Sequence, residues 1–231
     1  MQINDNLKHL LQSIIAAEQQ FARKQGSVKL LAVSKTQPVE QILAAIQAGQ
    51  LDFGENYAQE AMAKITAVQD KSINWHFIGA LQSNKIKLIA QHFAWVHSLD
   101  NLQHAERLST QRPQQLSPLN ICIQVNVDDE NTKSGISLTE LPSLAHAITK
   151  LPHLQLRGLM TIPAPREEFV AQREPFRKLR LALESLNKQG LSLDTLSMGM
   201  SNDYLAAIAE GATIIRIGTA IFGARIKSNK Y

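Results

Sequence analysis

VKLLAVSKTQPVEQILAAIQAG, residues 28–49, sets the pattern for the whole chain. Val28 to Ser34 is a short apolar run rich in branched residues, the composition of a buried strand. TQPVEQILAAIQAG then supplies Thr36 as a cap, Pro38 in the first turn and Gly49 as a terminator, so a helix follows. The same alternation continues without a break. LDFG (51–54) precedes a helix from about Asn56, WHFIG (75–79) precedes Ser83–Gln91, and FAWVHS (93–98) precedes Asn101–Gln111. LNICIQVNV (119–127) leads into Leu138–Lys150, LQLRGLMTI (154–162) into Arg166–Gln189, LDTLSM (193–198) into Asn202–Glu210, and TIIRIG (213–218) into a short last turn. Eight β/α units with near-continuous apolar strands predict an α/β fold, a closed parallel (β/α)8 TIM barrel, with a doubly wound open sheet as the alternative.

Outward from this core, Leu7, Leu10, Leu11, Ile14, Ile15 and Phe21 fall near helical spacing behind Asn4 or Asp5 as cap, with Gly26 as stop. This opening helix is expected on the outside or bottom of the barrel. No Pro/Gly/Ser-rich linker divides the chain, so residues 1–231 read as one domain. The 231 residues carry 24 Lys and Arg against 20 Asp and Glu, a net charge of +4 that is too small to point to nucleic acid. No basic helix or stacking platform adds to it. Apolar runs are strand-sized, well below the roughly 18 residues that cross a bilayer. MQINDNLKHLLQ lacks the unbroken apolar core of a secretory signal, so a cytoplasmic protein away from membranes is expected. Cys122 is the one cysteine, which excludes an internal disulfide and a multi-thiolate metal site. Its apolar flanks suit a buried, inert thiol.

In such a barrel chemistry collects at the C-terminal strand ends. That rim reads Lys35, then Glu55 and Asn56, His76 to Gly79, Ser98, Asn126, Met160–Thr161, Met198–Ser201 and Arg216–Thr219. Lys35 follows directly on its strand; a desolvated mouth would favour its free amine, the state a Schiff-base lysine needs, whereas a solvated strand-end lysine is the plainer reading. In SMGMSNDYLAAIAEGATIIRIGTAIFGAR (197–225), Ser201 caps a helix, and Gly218 and Thr219 open a short turn after the last strand. Loops after strands seven and eight are the usual phosphate cradle of this fold. Arg216 lies between Ile215 and Ile217 and needs a partner inside the mouth. His76 reads more simply as a core histidine bonded to a neighbouring strand than as a catalytic group, and no metal-ligand spacing accompanies it. Asn56 serves equally as a helix cap or beside a ligand ring. DDENTKSGIS (128–137) reads as a solvated lid from which Lys133, Ser134 and Gly135 reach a phosphate, and the tail with Arg225, Lys227 and Lys230 as solvated.

The pieces AVSKT, FGENY, HFIGALQSNK, KSGI, RGLMTIP and MGMS…RIGTAIFG, one per strand end and in order, resemble the pyridoxal-phosphate homeostasis proteins of the PROSC type over nearly the whole chain. The resemblance implies a fold similar to the barrel half of alanine racemase. It implies pyridoxal 5′-phosphate held as an aldimine on Lys35, a part in the balance of the free cofactor and through it of amino and keto acids, and no established catalytic activity. By motif, Ser201, Gly218 and Thr219 would hold the phosphate, Arg216 would face the pyridine nitrogen, Asn56 and Met198 would pack near the ring, and His76 would line the mouth. Ala80 and Ala212 depart from the family's usual proline and serine without touching a proposed contact.

The alternative is a racemase acting through the same lysine. Alanine racemases of this barrel supply a second base, a tyrosine, from a further domain; here the chain runs only from Gly218 to Tyr231, and Tyr57 is the one credible substitute. An arginine can only donate to the ring nitrogen, which weakens carbanion chemistry. A holder that exchanges its aldehyde with free amines or apo-enzymes, as a monomer, is therefore expected. A barrel aldolase ranks lower, since Glu55 is the only evident rim carboxylate before the 128–137 loop.

Overall fold

The computed structural model describes residues 2–129 and 134–223. Strands β1 (Lys29–Val33), β2 (Asp52–Glu55), β3 (Asn74–Phe77), β4 (Trp95–Leu99), β5 (Leu119–Gln124), β6 (Leu154–Met160), β7 (Thr195–Ser197) and β8 (Ile214–Ile217) lie side by side in chain order. All pairs are parallel, and β8 returns to β1 in register from Lys29↔Ile214 to Ala32↔Ile217. The sheet is thus a closed (β/α)8 barrel, as the eight alternating units predict.

Helices α2 (Val39–Gln47), α3 (Ala58–Val68), α4 (Ile86–His92), α5 (Leu102–Gln111), α6 (Leu141–Ile148), α7 (Phe169–Lys188), α8 (Tyr204–Ala209) and the short α9 (Thr219–Phe222) each follow a strand; α1 (Gln2–Gln20) precedes the first. Side chains alternate across each strand. Outward-facing Ala32, Phe53, Phe77, Val96, Ile123 and Ile215 meet helix residues such as Ile42, Ile89, Leu108 and Phe176 in one apolar layer. Inward-facing positions are more polar: His76, His97, Ser197 and Arg216 share the barrel interior with Leu31 and Cys122, all nearly or wholly buried.

Helix α1 packs against α2, α8 and α9 on the outside of the barrel. Its buried Glu18 carboxylate accepts from the Gly26 and Val28 amides at 2.9 and 2.8 Å and so fixes the entry into β1. The helix already runs from Gln2, so Asn4 and Asp5 lie in its first turn and do not cap it. Thr36 does not cap α2 either: Pro38 is the N-cap residue, and Thr36 takes a left-handed φ of 64°. Asn101 does cap α5, accepting from His104 N at 2.8 Å. Among the described residues no helix is long and apolar enough to cross a membrane.

Candidate functional site

The mouth is built where β1, β2, β3, β7 and β8 end. Lys35 is half-buried one residue past Ser34, which itself is fully buried. The backbone on both sides of Lys35 is held by charged groups from outside the barrel. Ser34 Oγ donates to Glu55 Oε1 at 2.6 Å, and Thr36 N donates to Glu60 Oε1 at 2.6 Å. Lys64 of α3 spends its three N–H donors on Ser34 O, Glu55 Oε1 and Glu60 Oε1, at 2.6, 2.7 and 2.6 Å. These bonds oppose the strain of a left-handed threonine beside Lys35.

Glu55 therefore does not point to the rim. Gly54 faces the barrel interior, so its neighbour faces out, where the carboxyl is fully buried against α3. Burial pushes the Glu55 carboxyl up against the lowering effect of Lys64 and Ser34. Asn56, the next residue, is half-buried at the mouth, and its buried Oδ1 has no hydrogen-bond partner. Gly79 lets β3 pass this strand end, since a Cβ there would lie 2.1 Å from Asn56 O.

Arg216 enters the mouth from β8 and is 4% exposed. Nη1 donates to Ser197 O and Ser197 Oγ at 2.6 and 2.8 Å, and Nη2 donates to Thr161 O at 2.9 Å. Burial lowers its pKa to about 10 against the attraction of Asp203, so it stays a cation at neutral pH. Burial likewise raises Asp203 against a bond from the Met200 amide and the Arg216 charge. Gly218 lies against Val33, with a hypothetical Cβ 3.1 Å from Val33 O, which sets the start of α9 and exposed Thr219 beside the β1 end.

Lys35, Asn56, Arg216, Gly218 and Thr219 thus stand at the C-terminal ends of the neighbouring strands β8, β1 and β2. Ser201 is exposed on the loop after β7 but caps nothing; Asp203 precedes α8, and its Oδ1 accepts from Met200 N at 2.6 Å. Ser201 shares with Pro163, Arg166 and Met200 a cleft of about 620 Å³ on the same end of the barrel. Two expected residues are not at the mouth. Met198 is fully buried in the helix-facing apolar layer, because Ser197 takes the inward position. His76 is fully buried lower in the barrel, between His97 and Asp52, in keeping with the plainer core reading. Cys122 is a buried free thiol whose pKa burial raises to about 12.

The loop after β5 folds back on its strand where it is described: Asn126 N donates to Ile136 O and Ile136 N to Gln124 O. Gly135 sits at a φ of 114° with Asn126 N 2.9 Å from a hypothetical Cβ, and Ser134 O accepts from Gln124 Nε2, so neither is part of a loose lid. Lys133, Arg225, Lys227 and Lys230 lie outside the described residues. Sequence reasoning missed Lys64, Glu60, His97 and Ser197. The last two were detectable as polar residues in strand-like apolar runs, FAWVHS and LDTLSM.

Residues 6–226 match the family model "Alanine racemase, N-terminal domain". The chain is 52% identical over 231 residues to a protein of Escherichia coli (strain K12) called pyridoxal phosphate homeostasis protein, covering 99% of each. It is 54% identical over 223 residues to a protein of the same name from Pseudomonas aeruginosa, with 96% of each covered. The solved structure of PipY from Synechococcus elongatus with PLP bound superposes with a TM-score of 0.83 at 36% identity, over 96% of this chain and all of that one. Alanine racemase from Corynebacterium glutamicum shares the fold, with a TM-score of 0.70 at 19% identity over 97% of this chain and 63% of that one.

Proposed function

The chain belongs to the alanine racemase N-terminal-domain family and, within it, to the pyridoxal phosphate homeostasis proteins, and on that premise we propose that it binds pyridoxal 5′-phosphate covalently through Lys35 and serves as a cytoplasmic holder of the cofactor. The placement of Lys35, Arg216 and the α9 start at the ends of the paired strands β1 and β8 carries this reading. The donor set suits an anionic aldehyde with an aromatic nitrogen. Asn56 supplies a buried oxygen still lacking a partner, which a ring substituent that donates would satisfy.

When bound, the cofactor supplies an electrophilic aldehyde carbon that bonds reversibly to amines. Lys35 provides the amine, held in place by Ser34 and Thr36. Ser201, Thr219 and the first amides of α9 after Gly218 would hold the phosphate, where helix-start N–H groups lack partners of their own. Arg216 offers a hydrogen bond to the ring nitrogen and, being a donor only, keeps it unprotonated. A ring so held is a poor electron sink, which favours holding and release over racemisation. Free amines or apo-enzymes reach the open mouth and take the cofactor, and through its free level the protein acts on amino-acid and keto-acid balance, as a monomer.

The test is the near-ultraviolet and visible absorbance of the purified chain with pyridoxal phosphate, before and after borohydride, beside Lys35→Ala. A band that borohydride abolishes, a reduced adduct mapped to the Lys35 peptide, and neither in the variant are expected. No band in the wild type overturns the reading. Steady turnover in an amino-acid racemisation assay would replace the holder with an enzyme.

A further inference from the structure

A line of hydrogen-bonded side chains runs through the barrel interior beneath Arg216. Arg216 Nη1 lies 2.8 Å from Ser197 Oγ, which lies 2.7 Å from His97 Nδ1. His97 Nε2 lies 2.9 Å from His76 Nδ1, and His76 Nε2 lies 3.1 Å from Asp52 Oδ1. Asp52 is the first residue of β2, at the floor of the barrel. There it pairs with Lys29 and borders a surface cleft of about 220 Å³ beneath α1. Both imidazoles are fully buried, whereas the Asp52 side chain is 13% exposed.

With both imidazoles neutral, the two ends fix the direction of every bond between them. A guanidinium only donates and a carboxylate only accepts. His76 Nε2 must therefore carry a hydrogen for Asp52. If His76 is neutral, its Nδ1 accepts, so His97 Nε2 donates, His97 Nδ1 accepts, and the Ser197 hydroxyl donates to it while accepting from Arg216. If His76 instead takes up a proton from the floor, its Nδ1–H confronts His97. His97 must then move its own hydrogen to Nδ1, and the Ser197 hydroxyl turns away.

We propose that Asp52 is the remote counter-ion of Arg216, joined to it by this one-way line, and that the ionisation of the Asp52–His76 pair at the floor sets how strongly Arg216 donates at the mouth. The proposal deepens the reading of Arg216 as the ring-nitrogen partner and rests on it. His97, His76 and Asp52 are positioning residues, since they act through Ser197 and Arg216. Burial depresses the His76 pKa against the pull of Asp52, and depresses His97 further with the help of His76 and Arg216. Asp52 lies below the usual carboxylate range because His76 and Lys29 outweigh its burial. The neutral state is thus the resting one. The other charged or titratable groups nearby are Arg157, whose guanidinium lies 5.0 Å from the centroid of the Trp95 ring that stacks on His76, and Asp203 and Cys122 beside Arg216.

The test has two arms. Nitrogen-15 histidine NMR of the full chain without added cofactor is expected to show both rings neutral with hydrogen on Nε2 near neutral pH. A hydrogen on His97 Nδ1 there overturns the line. In the loaded protein, Asp52→Asn keeps an acceptor for His76 but removes the charge, and is expected to lower the pH midpoint of the bound cofactor's visible band by on the order of half a unit. Lys29→Met, at a half-exposed site, is expected to shift it the opposite way. Profiles superimposable on the wild type in both variants overturn the coupling. A wild type that takes up no cofactor refutes the proposed function instead, and leaves the NMR arm to decide the line.

Discussion

Replacing Lys64 by methionine removes the cation paired with the buried Glu55 carboxyl. The methionine stem fills similar space, so the loss is electrostatic: Glu55, Ser34 O and Glu60 each lose a charge-assisted bond. Removing one partner of a buried pair costs about 3–5 kcal/mol. For a chain of this size that corresponds to a fall of roughly 6–20 °C in Tm. The double variant Glu55→Gln/Lys64→Met lacks the stranded charge and is expected to regain at least about 2 kcal/mol of that loss. The pH dependence has a definite sign. The folded-state pKa of Glu55 is already raised by burial, and without Lys64 it rises further. The folded protein then takes up a proton before the unfolded chain does, so the Lys64→Met deficit shrinks as pH falls from neutral towards the ordinary carboxylate range. Urea unfolding of wild type, single and double variants across that range measures all three effects. A single variant within about 1 kcal/mol of wild type, or a double no more stable than the single, would refute the account.

Other consequences are open to simpler measurements. Gly158→Ala would place a Cβ 1.8 Å from Thr195 O and force β6 and β7 apart; we expect a loss of about 2–4 kcal/mol by chemical denaturation, and an unchanged midpoint would contradict the register. His76 and His97 have depressed folded-state pKa values, so their share of stability is complete above the ordinary value of 6.5 and is lost as pH falls below it. His97→Gln should flatten that acid limb of the stability curve, and a limb unchanged in slope would count against it. Cys122, with its thiol raised to about 12 and fully buried, should react with a thiol reagent only at the rate of global unfolding; rapid labelling of the native protein would show otherwise.

The eight β/α units were legible because apolar runs and helical spacing alternate without interruption from Val28 to Phe222. The placement of Lys35 and Arg216 at neighbouring strand ends was legible too, since both close an apolar strand in a fold that lays its first and last strands side by side. What failed was parity. Both faces of a barrel strand are buried, so alternation leaves no polar face to mark the outside. In the four-residue β2 nothing local says that Gly54 faces in and Glu55 out, and in β7 the same ambiguity sent Met198 to the mouth in place of Ser197. Capping failed for a different reason. Thr36 and Ser201 are good N-caps by residue type, but Thr36 is drawn into a left-handed turn by Glu60, a partner 24 residues away that no local pattern reveals.

The seam between β1 and β8 joins the first strand of the chain to its last. Lys35 leaves the first strand and Arg216 belongs to the eighth, and the two meet only when Lys29 to Ala32 find Ile214 to Ile217. On the proposed function, a nascent or truncated chain carrying Lys35 on a well-made β1 would lack Arg216, so cofactor capture would report that the ring of strands is complete. On the same proposal, loading would also act back on assembly, because a ligand held by residues of the two end strands would favour the closed ring by mass action and resist its opening at the seam.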